Sequence, residues 1–167
     1  MPRGSDPLCR NAIYSALRGL LSRSAVIASG GECPEIYIDA AVLLPEVSAP
    51  DVPKTHKIGI IPHMLQEAMS RAFIEKLGAD HIKVIPLRSV TFDEIQGVIR
   101  DIMNCKEIVS TSLHGLMVAH AYGIPCQSLR MTSDLDNAAD SFKTLDYKFS
   151  TGLDDPALGV PPHFNDL

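Results

Sequence analysis

The residues best suited to chemistry lie in the stretch Ser110–Gly115, between a short apolar run and a helix-forming run. Three hydroxyl side chains and an imidazole at a helix start supply hydrogen-bond donors, exposed backbone N–H groups and a dipole that favours an anion. Gly115 would also let a ligand approach the backbone. The alternative is structural, because Ser110, Thr111 and Ser112 can equally cap a buried helix. These residues alone leave both interpretations open.

Two further candidates follow other apolar runs. His63 comes after the run 57–61 and Pro62, where it either faces a ligand or caps a turn. Arg130 ends the run that begins at Pro125, and its guanidinium either grips a carboxylate or phosphate or is an ordinary surface group. Phosphate-loop, dinucleotide-binding, zinc-protease and nucleophile-elbow motifs are absent. We therefore expect no metal and no cofactor.

The elements that must position these residues alternate along the chain. Strand-like segments are predicted near residues 57–61, 82–87, 107–111 and 126–130, with helices between them. Gly78 predicts a helix end, and Thr91 with Glu94 predicts a capping box. This alternation implies an α/β fold, a Rossmann-like mostly parallel sheet with helices on both faces. Ligands bind at the carboxyl ends of such strands, where the candidates lie.

The domain organisation is predicted from proline content and periodicity. Residues 1–50 are interpreted as an N-terminal helical arm, with a helix over residues 8–21, followed by an inter-lobe segment. Residues 51–153 form the Rossmann-like domain, which closes with a helix capped by Ser133. Residues 154–167 contain three prolines and are expected to fray.

Composition and charge exclude several classes of function. The chain has 167 residues, with 15 Lys and Arg against 20 Asp and Glu, a formal charge of −5. This acidic balance argues against nucleic-acid binding, and no apolar run is long enough for a membrane span. The start lacks an apolar signal core, so we expect a cytoplasmic protein. The four cysteines lack zinc or redox spacing and are expected to be reduced and non-catalytic.

Three stretches resemble the polysaccharide pyruvyl transferase family: Lys57–His63, Ile108–Pro125 and Phe142–Gly152. Asp39–Pro45 is similar to the stretch that precedes the second half of these enzymes. The resemblance covers about residues 33–153, essentially the C-terminal half of such an enzyme. It implies the donor-binding lobe of a two-lobed transferase of the GT-B kind, with the active site between two Rossmann-like lobes.

The resemblance also implies a reaction and a set of site residues. Family members transfer the enolpyruvyl part of phosphoenolpyruvate onto two hydroxyls of one sugar, as a ketal. The [RS]-L-H element of the donor site corresponds to Ser112, Leu113 and His114, and some members have Arg where this chain has Ser112. A trianionic donor suits a helix N-terminus together with Arg and Lys, so Lys143 joins Arg130 among the candidates.

From this resemblance we expect a pyruvyl transferase, or its donor lobe, acting on a sugar of a cell-surface or exopolysaccharide. His114 is the expected acid–base group or phosphate contact. The expected donor-binding residues are Ser110, Thr111, Ser112, Leu113, Gly115, His63, Arg130 and Lys143.

The expected partners are phosphoenolpyruvate, a saccharide acceptor and either a separate N-terminal lobe or a second copy. The expected N-terminal lobe has no counterpart in the sequence, so we expect donor binding without appreciable turnover. The alternatives are the lobe of a nucleotide-sugar glycosyltransferase and a truncated, non-catalytic remnant.

Overall fold

The computed structural model describes residue 8, residues 11–129 and residues 138–151. These residues fall into two compact units, residues 40–129 and residues 11–39 with 138–151. The larger unit begins with the 3₁₀ helix Ala40–Leu43 and the short helix α2 (Leu44–Val47), since Ala41 and Leu44 pack on its core. The domain boundaries at residues 50 and 153 stay predictions.

The larger unit is built on four parallel strands. They are β1 (His56–Ile61), β2 (Ile82–Val84), β3 (Cys105–Ser110) and β4 (Cys126–Ser128), in the order β2-β1-β3-β4. This arrangement confirms the predicted α/β, Rossmann-like parallel sheet. β2 is shorter than predicted, because Pro86 has no N–H with which to continue the ladder. Arg130, at the predicted end of the fourth strand, lies outside the described residues.

Three helices connect these strands: α3 (Glu67–Leu77), α4 (Phe92–Met103) and α5 (Leu113–Ala121). The chain moves across the sheet in one direction from β1 to β2, and in the opposite direction from β2 to β3 and from β3 to β4. Right-handed crossovers therefore place α3 on one face of the sheet and α4 and α5 on the other. The predicted helix signals are confirmed. Gly78 ends α3 in the left-handed conformation, with φ of 60°, and Thr91 and Glu94 form the capping box of α4.

The core of this unit lies where α4 and α5 cover the sheet. Its buried members are Ile61, Ile85, Ile102, Cys105, Ile108, Val118, Ala119 and Ile124. Burial raises the pKa of the Cys105 thiol to about 11 and that of Cys126 to about 12. Both side chains are free thiols, and Cys105 packs as a small apolar group.

The buried side of α3 is not the side that carries its regularly spaced apolar residues. Met69, Phe73 and Leu77 recur at helical spacing, yet they are 48%, 54% and 56% exposed. The polar side chains of Gln66 and Ser70 are buried instead. The periodicity therefore predicts the helix correctly but does not identify its buried face.

The smaller unit contains α1 (Leu20–Ala28) and α6 (Ala138–Thr151). The prediction of a helix over residues 8–21 is wrong. Leu17 instead forms a parallel bridge with Tyr37, donating to the Ile36 carbonyl at 3.0 Å. Gly19 is fully extended at the N-cap of α1, so the helix begins at Leu20.

The start of α1 is capped by a residue far away in sequence. Asp146 of α6 is fully buried, and its Oδ1 accepts from the N–H groups of Leu21 at 2.8 Å and Ser22 at 3.0 Å. The Ser22 hydroxyl donates to the other carboxylate oxygen. A Cβ on Gly19 would lie 2.0 Å from the Asp146 carbonyl oxygen, so this contact also requires glycine at position 19. None of the helices in the described residues is long and apolar enough to cross a membrane.

Candidate functional site

A cleft of about 270 Å³ opens at the carboxyl edge of the sheet, within the unit of residues 40–129. The residues that directly follow parallel strands meet at such an edge. The lining comes from the segments after β1, β2 and β3. It consists of Pro62, His63, Met64, Glu67, Pro86, Leu87, Arg88, Ser112 and His114. Three of the candidates from the sequence, His63, Ser112 and His114, are thus brought together.

Hydrogen bonds join the segment after β1 to the segment after β3. The backbone N–H of His63 donates to Thr111 Oγ1 at 2.7 Å, and the same hydroxyl donates to Gln66 Oε1 at 2.6 Å. The Thr111 N–H donates to the Ile61 carbonyl at 3.0 Å. The Thr111 hydroxyl is therefore engaged in both directions, and it holds the His63 backbone beside the start of α5.

Ser110 has a similar internal role. Its side chain is 1% exposed, and its hydroxyl lies 3.1 Å from the Ile61 carbonyl oxygen and 2.7 Å from that of Ser112. The same oxygen accepts from the Ser112 N–H at 3.0 Å. Ser112 is the N-cap residue of α5, but its side chain makes no capping hydrogen bond and lines the cleft. The hydroxyls of Ser110 and Thr111 thus form hydrogen bonds within the loops after β1 and β3, whereas Ser112 lines the cleft.

Gly115 is explained by packing. A Cβ at this position would lie 2.4 Å from Ser110 Oγ and 2.6 Å from Ile61 Cγ2. The missing side chain lets the first turn of α5 approach β1 and β3 closely. Gly115 is buried and Leu113 half-buried, and both lie in this turn without lining the cleft.

The two histidines of the cleft occupy different settings. His114 is the second residue of α5 and is exposed, beside the N–H groups that an α-helix leaves free in its first turn. His63 is half-buried, and its Nδ1 lies 3.4 Å from the N–H of Leu65. That contact favours the tautomer with the proton on Nε2. The cleft therefore brings two imidazole side chains to one sheet edge.

The sequence reasoning missed Arg88 and Glu67. Arg88 Nε lies 3.2 Å from Glu67 Oε2, and Arg88 Nη2 donates to the Met64 carbonyl at 3.0 Å. The position of Arg88 directly after the predicted strand 82–87 could have identified it. His63 was chosen as a candidate because it follows a predicted strand in the same way.

The remaining candidates are not part of the described cleft. Lys143 lies in α6, in the other unit, and Arg130 lies outside the described residues. Among the residues that the structure describes, no three His, Cys, Asp or Glu side chains converge to hold a metal ion.

A parallel sheet with a cleft at its carboxyl edge, beside a helix N-terminus, defines a Rossmann-like unit suited to an anionic ligand. A sequence model of the polysaccharide pyruvyl transferase family matches residues 10–130. The chain belongs to this family, which confirms the resemblance found in the sequence.

A second comparison gives one curated relative. An uncharacterised protein of Acanthamoeba polyphaga mimivirus is 29% identical over 99 residues, which are 59% of this chain and 33% of that protein. The chain therefore matches about a third of the length of this relative. No solved structure matches the chain significantly.

Proposed function

We propose that the unit of residues 40–129 binds phosphoenolpyruvate and serves in pyruvyl transfer to a sugar of a cell-surface or exopolysaccharide. The observation that carries this proposal is the composition of the cleft. His63, Ser112 and His114 meet at one sheet edge, next to the first turn of α5. A small trianion fits a site with a helix N-terminus and several hydrogen-bond donors.

The reaction defines which groups the cleft has to supply. A proton adds to the methylene carbon of phosphoenolpyruvate, and one sugar hydroxyl, losing its proton, bonds to C2. The C2–O bond to phosphate then breaks, and inorganic phosphate leaves with the electron pair. A second sugar hydroxyl loses its proton to the base or to the departing phosphate and bonds to C2 in its place. This sequence needs an acid, a base and donors that stabilise the departing phosphate.

The described residues offer groups for each of these roles. His114 is exposed at the helix start, and we assign it proton transfer or contact with the donor phosphate. His63 is the second imidazole, which allows one ring to donate a proton while the other accepts one. The Ser112 hydroxyl and the N–H groups of α5 would donate to the phosphate.

The proposal for the whole protein extends beyond this unit. We propose a two-lobed arrangement of the GT-B kind, in which a separate N-terminal lobe or a second copy orients the acceptor sugar. The proposed compartment is the cytoplasm.

Ligand-dependent thermal unfolding tests the donor assignment. At a hundredfold excess over Kd, a ligand adds about 2.7 kcal/mol of stability, which raises Tm by about 5–11 °C for a chain of this size. We expect phosphoenolpyruvate to give such a shift, and inorganic phosphate and a nucleotide sugar to give smaller ones. A larger shift with the nucleotide sugar would indicate a glycosyltransferase lobe instead, and no shift with any ligand would indicate a non-binding remnant.

A further inference from the structure

Arg88 follows β2 and lines the cleft, and the proposed reaction assigns it no role. Arg88 is the one Arg or Lys among the nine described residues that line the cleft. Its guanidinium has five N–H donors, of which one faces Glu67 and one donates to the Met64 carbonyl. The side chain is 62% exposed, so the other three donors are accessible from the opening.

The carboxylate of Glu67 is shared between Arg88 and a second arginine that lies outside the cleft. Glu67 Oε2 lies 3.2 Å from Arg88 Nε, and Glu67 Oε1 lies 3.1 Å from Arg71 Nε. One carboxylate thus faces two guanidiniums, which leaves one positive charge in excess. Glu67 is only 20% exposed but keeps its second oxygen on Arg71, whereas Arg88 is 62% exposed. Arg88 can therefore exchange part of its contact with Glu67 for an incoming anion while the carboxylate stays paired.

We propose that Arg88 is the anion-binding residue of the cleft, with Glu67 as the positioning residue that orients its guanidinium. The planar fork of arginine matches the paired oxygens of a phosphate or a carboxylate. That the anion is phosphoenolpyruvate rests on the proposed function, whereas an oxyanion site at Arg88 does not. The phosphate and carboxylate ends of the donor are separated by testing inorganic phosphate and pyruvate.

Arg71 provides a matched control, because it pairs with the same carboxylate but does not line the cleft. Arg88→Gln and Arg71→Gln remove the same charge next to Glu67, so their difference reports direct contact with the ligand. Titration calorimetry of the 167-residue chain with phosphoenolpyruvate should show about a tenfold or greater loss of affinity for Arg88→Gln. Arg71→Gln should lose no more than about threefold, and Arg88→Lys, which keeps the charge without the fork, should fall between them.

Each alternative outcome has a defined meaning. Equal losses for Arg88→Gln and Arg71→Gln, or no loss for Arg88→Gln with a wild-type melting curve, would overturn the assignment of Arg88. If phosphoenolpyruvate binding falls with His114→Ala but not with Arg88→Gln, the proposed function survives and this inference fails. If the chain binds inorganic phosphate through Arg88 but binds phosphoenolpyruvate no more tightly, the proposed function fails and this inference stands. Absence of binding to phosphoenolpyruvate, phosphate and pyruvate at millimolar concentration would overturn both.

Discussion

Gly115→Ala tests whether the first turn of α5 is held against the sheet as the structure shows. The added Cβ would lie 2.4 Å from Ser110 Oγ, 2.6 Å from Ile61 Cγ2 and 3.0 Å from Ile61 Cβ. Neither neighbour can move freely. The Ser110 hydroxyl contacts the Ile61 and Ser112 backbone, and the Ile61 side chain is fully buried. The turn that carries His114 must therefore shift.

Gly97→Ala in α4 is the matched control, because a Cβ at that position meets no atom within 4 Å. Replacing glycine by alanine inside a helix stabilises by about 0.5–1 kcal/mol when there is room. Overpacking a close contact costs about 1–3 kcal/mol, which exceeds this gain at Gly115. We expect Gly115→Ala to be less stable than wild type and Gly97→Ala to be more stable. Both gain the helix term, so their difference equals the overpacking cost of about 1–3 kcal/mol.

Urea unfolding followed by circular dichroism measures this difference, provided that the m-values of both variants match that of wild type. Because His114 precedes Gly115 in the same turn, Gly115→Ala should also weaken donor binding, while Gly97→Ala should leave it unchanged. Equal stability of the two variants would refute the close approach of α5 to β1 and β3.

Three further predictions concern the rest of the fold. Asp146→Ala should lower stability by about 1–3 kcal/mol in urea unfolding, because the N–H groups at the start of α1 lose a buried acceptor; a change near zero would contradict this cap. Phe73→Ser should change stability by less than about 0.5 kcal/mol, whereas Ile99→Ala, at a buried site, should cost about 2–5 kcal/mol. A large loss for Phe73→Ser would mean that the apolar stripe of α3 is buried. The Cys126 thiol, whose pKa burial raises to about 12, should react with iodoacetamide at pH 8 far more slowly than a free thiol. Because the folded pKa values of Cys105 and Cys126 lie above 9.0, their contribution to stability should be complete below that pH. This stabilising contribution should decline as the pH rises towards 11 and 12. In the iodoacetamide experiment, alkylation of folded Cys126 at the rate of a free thiol would contradict its burial.

The parallel sheet was predictable because its signals are local. Strand-like segments alternate with helical ones along the chain, and Gly78 and the pair Thr91 and Glu94 mark helix ends through their own backbone contacts. The carboxyl-edge rule then places His63 and His114 at one cleft without any knowledge of side-chain packing.

The errors arise where long-range contacts decide the structure. Residues 8–21 have helical spacing, but Leu17 pairs with Tyr37 and Asp146 caps a helix that begins at Leu20. Neither partner is visible from local periodicity. The apolar spacing in α3 likewise does not identify its buried face, since the buried Gln66 accepts a hydrogen bond from Thr111 in a loop distant in sequence.

The measurement that tests the central claim most directly is titration of His114→Ala with phosphoenolpyruvate. His81→Ala is the matched control, because His81 is also exposed but precedes β2, at the opposite edge of the sheet from the cleft. Loss of one charge-assisted hydrogen bond should weaken binding by about 1.5–3 kcal/mol, or about 10- to 150-fold, with stability within about 1 kcal/mol of wild type. His81→Ala should bind like wild type. If His114→Ala also binds phosphoenolpyruvate with wild-type affinity, the cleft at the start of α5 is not the donor site.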